Sequence, residues 1–161
     1  SKSNIIHDVI DHANNGRYLL GICNGFQILT EIGLLKGALI QNESIKFLGK
    51  DCHIKKKFDN KFNCNIKDNE VLQIPVAHNE GNFYCDQETL SYLQDEGLIA
   101  FEYCRGEYQI DDANINGSLD NIAGITNKNK NILGMMPHPE RAYQDFHASK
   151  DGKKIIESIL S

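Results

Sequence analysis

Gly21-Ile22-Cys23-Asn24-Gly25-Phe26-Gln27 lies between an apolar, strand-like run, Tyr18-Leu19-Leu20, and a helix-like run carrying Phe26, Ile28, Leu29 and Ile32. A G-x-C-x-G between strand and helix is the cysteine counterpart of the G-x-S-x-G nucleophile turn. The chain must reverse sharply there, and glycines two positions either side of the cysteine remove Cβ atoms expected to collide. The sulfur is left at the tip of the turn, at the N-terminus of the following helix. Unpaired N–H groups and the helix dipole favour thiolate at that position. The stretch therefore proposes a nucleophile, and the rest of the chain must supply a base.

Working outward, Ile5, Ile6, Val9, Ile10 and Ala13 recur at helical spacing before Asn14-Asn15-Gly16. Residues 17–22 read as a buried strand, followed by the turn and a helix ending at Gly33. Helix, strand, turn and helix in that order indicate a parallel α/β sheet. Downstream, residues 38–40 form a short apolar run, 51–58 suit an edge strand, and 59–69 read as a polar loop. Residues 71–76 read as a strand leading into His78-Asn79-Glu80-Gly81-Asn82. Asp86 is a suitable N-cap for a helix carrying Leu90 and Leu93 and ended by Gly97. Residues 98–103 read as a strand and 104–121 as a long polar loop. Residues 122–126 and 132–136 read as a hairpin, and Ile155, Ile156, Ile159 and Leu160 mark a last amphipathic helix.

The 161 residues suffice for one domain with a real core. Hydrophobic content of 40% and charged content of 24% are ordinary for a globular protein. A net charge of −5 argues against a nucleic-acid or anionic-membrane surface. No apolar run is long enough for a membrane span, and no secretory signal is visible. Five cysteines, without a C-x-x-C, suggest neither a disulfide framework nor a zinc ribbon, so a reducing cytoplasm is the natural setting. The chain opens on a helix with no strand before it and no initiator methionine. The expectation is an N-terminally incomplete domain spanning 1–161.

A cysteine nucleophile needs a base, and the base needs an acceptor to fix its tautomer. His138 and Glu140 fit, lying after a strand end at spacing i, i+2 with Pro137 and Pro139 stiffening the turn. His78 and Glu80 have the same spacing after a strand, so spacing alone does not choose. The proline-flanked pair is the better base because it is held more rigidly; His78 and its loop are cast as a wall of the substrate pocket. Two H-x-E pairs could also suggest a metal, but no H-E-x-x-H is present and none is expected. Gln27, one turn past the cysteine, could reach a bound substrate.

Five blocks occur in one order: G-I-C-N-G-F-Q at 21–27, L-L-K-G-A-L-I-Q-N-E-S at 34–44, P-V-A-H-N-E-G-N-F at 75–83, N-G-S…I-A-G-I-T-N at 116–127 and M-M-P-H-P-E-R-A at 135–142. Together they resemble class I (triad) glutamine amidotransferases, and more narrowly the glutaminases of phosphoribosylformylglycinamidine synthase in purine synthesis. The resemblance implies a three-layer, flavodoxin-like fold with a mostly parallel sheet flanked by helices, here lacking the first strand–helix units. It implies Cys23 as nucleophile, His138 as general base and acid, and Glu140 as the residue orienting it. The Asn24 N–H would be one oxyanion donor. Gln27 and the loop of His78, Asn79, Glu80 and Gly81 would hold glutamine. The implied reaction releases ammonia through a cysteinyl thioester. The implied partners are an ATP- and Mg-using synthetase and a small accessory subunit, with no cofactor in this chain. The family's second oxyanion donor lies in a Gly-Gly loop that has no match here, so the chain alone is expected to be inactive or poorly folded. The alternatives are a γ-glutamyl or other cysteine hydrolase of related fold, or a non-catalytic regulatory subunit. No role is assigned to Gly106-Glu107-Tyr108-Gln109-Ile110.

Overall fold

The computed structural model describes residues 4–43, 47–106 and 113–161. Residues 107–110 of the long loop, to which the sequence assigned no role, lie outside the described residues, as does Ser44. In chain order the elements are α1 (Asn4–Asn14), β1 (Leu19–Ile22), α2 (Asn24–Glu31), β2 (Ala38–Ile40), β3 (Leu48–Lys56) and β4 (Leu72–His78). They continue with β5 (Asn82–Tyr84), α3 (Gln87–Asp95), β6 (Ile99–Tyr103), β7 (Ile122–Thr126), β8 (Ile132–Met135) and α4 (Gly152–Leu160).

Six strands form one sheet in the order β1-β8-β7-β6-β3-β4, and β2 and β5 pair in a separate antiparallel ribbon. Both sheet faces are covered. On one, Phe26 and Leu29 of α2 and Leu90 and Leu93 of α3 pack with Ile99, Ile125 and Ile132. On the other, Ile155 of α4 and Phe62 pack with Ile54, Ile74, Phe101 and Leu133. The alternation along β8 serves both cores, with Ile132 on one side and Leu133 and Met135 on the other. This is the expected three-layer α/β arrangement.

The expected mostly parallel sheet is corrected to a mixed one. Among the described residues only β1 and β8 run parallel; β8–β7, β7–β6, β6–β3 and β3–β4 are antiparallel. The reason is connectivity. Parallel neighbours need a crossover, usually helical, whereas β7 and β8 are joined by a short turn. β3 is also not an edge strand, because it sits between β6 and β4. Lys55 of β3 and Lys57 just after it each pair at 3.0 Å with Glu102 on neighbouring β6. Meanwhile Cys52 and Ile54 point into the core. Leu160, expected on the buried face of α4, is 80% exposed at the helix's last position, while Ile155 is fully buried.

Other local expectations hold for physical reasons visible in the chain. Asp86 accepts a hydrogen bond from the Thr89 N–H at 2.8 Å and caps α3. Asn131 donates to the carbonyls of Ala13 and Arg17 at 2.9 and 3.0 Å, tying the end of α1 to the β7–β8 turn. The one parallel pair matters most. It sets Ile22 beside Met135, so the chain leaves β1 and β8 at the same end of the sheet. Cys23 and the segment leading to His138 therefore start as neighbours.

Candidate active site

At the end of β1 the backbone turns through Cys23 at φ 53° and ψ −110°. A non-glycine residue held there costs about 1–3 kcal/mol. The turn persists because both of its polar ends are engaged. The Cys23 N–H donates to the Met135 carbonyl at 2.9 Å, and the Cys23 carbonyl accepts from the Gln27 N–H at 3.2 Å. The two glycines of the motif serve different purposes. A Cβ on Gly21 would overlap the Leu29 side chain and stand 2.9 Å from the Gly25 carbonyl carbon. A Cβ on Gly25 would meet nothing within 4 Å. Close approach thus requires glycine at 21, and the expectation that both positions relieve a collision is corrected at 25.

His138 follows β8 and is anchored by its N–H, which donates to the Pro75 carbonyl of β4 at 2.8 Å. Pro139–Arg141 form a single 3-10 turn, which folds the Glu140 carboxylate back onto the imidazole. Nδ1 of His138 and Oε1 of Glu140 are 2.6 Å apart. The imidazole is pushed up to about 9, first by Cys23 beside it and then by Glu140, against the effect of burial. Glu140 is held below the usual carboxylate range: burial opposes this, but His138 and the neighbouring Arg141 outweigh it. Nε2 of His138 is buried and makes no hydrogen bond, while the Cys23 thiol is aimed at the Ala77 carbonyl at 3.7 Å. The two side chains are adjacent but not hydrogen-bonded, as catalytic pairs often are before substrate arrives.

Both line a cavity of about 470 Å³, with Asn24, Gln27, His78, Asn79 and Glu80 also in its wall. Asn24 is the first residue of α2, so its N–H has no carbonyl one turn earlier to bond. Gln27 is on the wall, but its amide donates to Glu31 at 3.1 Å rather than facing the sulfur. Asn79 and Glu80 are exposed to the cavity mouth. Gly81 is placed differently from the other loop residues. Its N–H donates to Asn42 at 2.9 Å and its carbonyl accepts from Asn116 at 2.7 Å, so its polar groups hold the loop in shape. His78 is buried and shows the opposite titration from His138: burial, and then the charge of His138, push it down to about 4.

Three residues of this neighbourhood were missed in the sequence. Phe47 and Arg141 line the cavity. Arg141 could have been found as the neighbour of Glu140, since a guanidinium beside a pocket suits a substrate carboxylate. Asn42, 1% exposed, is bonded to three residues of the His78 loop, and no local pattern around it signals this. The remaining cysteines are ordinary by comparison. Burial pushes the Cys52 and Cys85 thiols up and carries Cys104 to about 11. Cys64 is exposed, and Ser161 beside it lowers its thiol. Among the described residues no three His, Cys, Asp or Glu side chains are grouped to hold a metal ion. No helix there is long and apolar enough to cross a membrane.

A layered α/β sheet, a strained cysteine at a strand–helix turn and a carboxylate-bound histidine together define the triad class of amidotransferase-like proteins. Residues 2–158 match the model of the CobB/CobQ-like glutamine amidotransferase domain, and the chain belongs to that family. It is 48% identical over 161 residues to the phosphoribosylformylglycinamidine synthase subunit PurQ of Chlorobaculum parvum, covering 99% of this chain and 64% of that protein. It is 47% identical to the subunit PurQ of Koribacter versatilis, covering 98% of this chain and 69% of that one. The chain thus spans only part of the length of these relatives. Among solved structures it is similar to a chain of PurLQS from Thermotoga maritima, with a TM-score of 0.83, 36% identity, and coverage of 99% and 68%. A glutamine amidotransferase from Thermotoga maritima shares the fold, with a TM-score of 0.54 at 16% identity over 96% of this chain and 51% of that one.

Proposed function

We propose that this chain is the glutaminase of a phosphoribosylformylglycinamidine synthase, releasing ammonia from glutamine for a synthetase partner. The observation that carries the reading is the Cys23–His138–Glu140 arrangement at one end of the β1–β8 pair, with the imidazole pushed up to about 9. Such an imidazole is protonated at neutral pH, so it can pair with a thiolate and serve as the acid that the departing nitrogen needs.

The steps balance with these residues alone. Cys23 sulfur attacks the carboxamide carbon of glutamine, and the oxygen that becomes negative sits by the Asn24 N–H at the start of α2. His138 gives its proton to the nitrogen, the C–N bond breaks, and ammonia leaves a γ-glutamyl thioester. Water then attacks the thioester as His138 takes its proton. The C–S bond breaks, glutamate departs, and the thiolate is restored. Glu140 holds the tautomer and charge of His138 throughout. Gln27 and the backbone of the loop of His78, Asn79 and Glu80, which Gly81 helps hold in shape, bind the amino-acid end of glutamine. The synthetase, with its ATP and Mg, and a small accessory subunit complete the assembly; this chain contributes no cofactor. The setting of the reaction is the cytoplasm.

The test uses a glutamine-mimicking diazo-ketone on the protein with and without a synthetase partner. Exposed Cys64 makes a general alkylating agent uninformative, so the reagent must be recognised as glutamine. Labelling confined to Cys23 is the expected result. Cys23→Ala should abolish glutamine-dependent synthesis and leave synthesis from free ammonia intact. Loss of both activities would show that Cys23 is structural.

A further inference from the structure

Among the described residues, two buried side-chain N or O atoms lack a hydrogen-bond partner, and both are Nε2 atoms of histidines that line the cavity. The one on His138 is accounted for by the chemistry above. The one on His78 is not. A buried polar atom left unpaired is costly, and its retention calls for a partner that arrives later.

The protonation state of His78 follows from its neighbour. Asn42 Oδ1 accepts from the Gly81 backbone N–H at 2.9 Å, and Asn42 Nδ2 donates to the His78 carbonyl at 3.1 Å. Both backbone partners have only one role available, so the orientation of the Asn42 amide is not ambiguous. The same Oδ1 lies 3.1 Å from His78 Nδ1, which must therefore be the N–H. Nε2 is then a bare lone pair. Burial and the charge of His138 keep the ring neutral, its proton affinity pushed down to about 4. The ring is also fixed in place: it lies so close over Gly81 that a Cβ there would stand 2.7 Å from Nε2. The Asn42 N–H completes the clamp on the Asn79 carbonyl at 3.0 Å.

We infer that Asn42 is a positioning residue that holds His78 as the Nδ1–H tautomer, so that His78 Nε2 accepts a hydrogen bond from the carboxamide nitrogen of the substrate as it leaves. The inference rests on the glutaminase reading and deepens it. A neutral acceptor beside a protonated His138 is what a departing –NH₂ group requires, since one imidazole donates to the nitrogen and the other receives from it. An ester of the same γ-glutamyl group has no N–H to offer and forms the same thioester.

The experiment compares glutamine with γ-glutamyl methyl ester in the wild-type protein and in Asn42→Ala, His78→Phe and His78→Gln, assayed with the synthetase partner. The expected result is that kcat/KM for glutamine falls about tenfold further than that for the ester in Asn42→Ala and His78→Phe, the worth of about one hydrogen bond. His78→Gln, whose side-chain oxygen can accept, should recover part of the difference. Loop collapse lowers both substrates together and leaves their ratio unchanged. An unchanged ratio in all three variants overturns the inference, and would assign the empty Nε2 to an internal water. The imidazole ¹⁵N spectrum of the wild-type protein provides a readout independent of the variants' folding, and an Nε2–H tautomer at His78 likewise overturns the inference. Wild-type protein that turns over neither substrate overturns the glutaminase reading itself, a different outcome from activity with an unchanged ratio.

Discussion

His138-Pro139-Glu140 and His78-Asn79-Glu80 are the same H-x-E pattern after a strand, yet they become opposite devices. Glu140 folds back to 2.6 Å from its histidine and helps hold that ring's proton to about 9. Glu80 stays exposed, and its histidine is claimed by Asn42 and pushed down to about 4. The difference is made by the backbone. The proline-flanked segment tightens into a 3-10 turn that returns the carboxylate to the ring, whereas His78 is still the last residue of β4. The loop after β4 is held from outside, by Asn42 and Asn116. Spacing brings two groups within possible reach; the turn between them decides whether they meet.

Several substitutions can break or sharpen this contrast. The largest expected effect is at the nucleophile and its base: Cys23→Ala or His138→Ala should lower glutamine turnover by about 10⁴-fold or more, measured as glutamate released. Glu140→Gln should cost roughly 10²- to 10⁴-fold. It should also move the alkaline limb of the pH–rate profile. In the wild-type protein activity should fall as pH rises through about 9, where His138 loses its proton; without the carboxylate that fall should begin at lower pH.

The two rings should also affect stability in opposite pH windows, readable as Tm against pH. His138 is raised from its ordinary 6.5, so its contribution is fully present below about 6.5 and is lost as pH rises through about 9. His78 is depressed, so its contribution is present above about 6.5 and is lost as pH falls through about 4.

Within the cysteine turn, Gly21→Ala should destabilise by about 1–3 kcal/mol through overpacking against Leu29 and the Gly25 backbone. Gly25→Ala, in open space inside α2, should be neutral or stabilise by up to about 1 kcal/mol. Chemical denaturation of both variants checks this. The smallest effect belongs to the second carboxylate: Glu80→Gln should alter glutamine turnover by roughly twofold at most, as for an ordinary surface substitution. A loss comparable to that of Glu140→Gln would mean that the two H-x-E pairs are equivalent after all.

Local order was legible along the chain because it depends on neighbours in sequence. The stop at Gly16, the cap at Asp86, the β7–β8 hairpin and the turn at Cys23 each follow from a few adjacent residues. So does the pairing of His138 with Glu140, since only Pro139 separates them and Pro137 restricts the chain just before. Strand direction and neighbours were not legible in the same way. Residues 51–58 read as an edge strand, and only the pairing of β3 with β6 on one side and β4 on the other makes it an interior one. The bonds of Gly81 to Asn42 and Asn116 were likewise not legible, because both partners lie far along the chain.

The sequence by itself determined that a strained cysteine would stand at a strand–helix junction and that a histidine would carry its own carboxylate, because both depend on short-range stereochemistry. Only the tertiary structure decided that β1 and β8 lie side by side and parallel, which brings that cysteine to that histidine from far along the chain. It alone also decided that Asn42 sets the state of His78, since a hydrogen bond between residues 36 positions apart leaves no trace in local spacing.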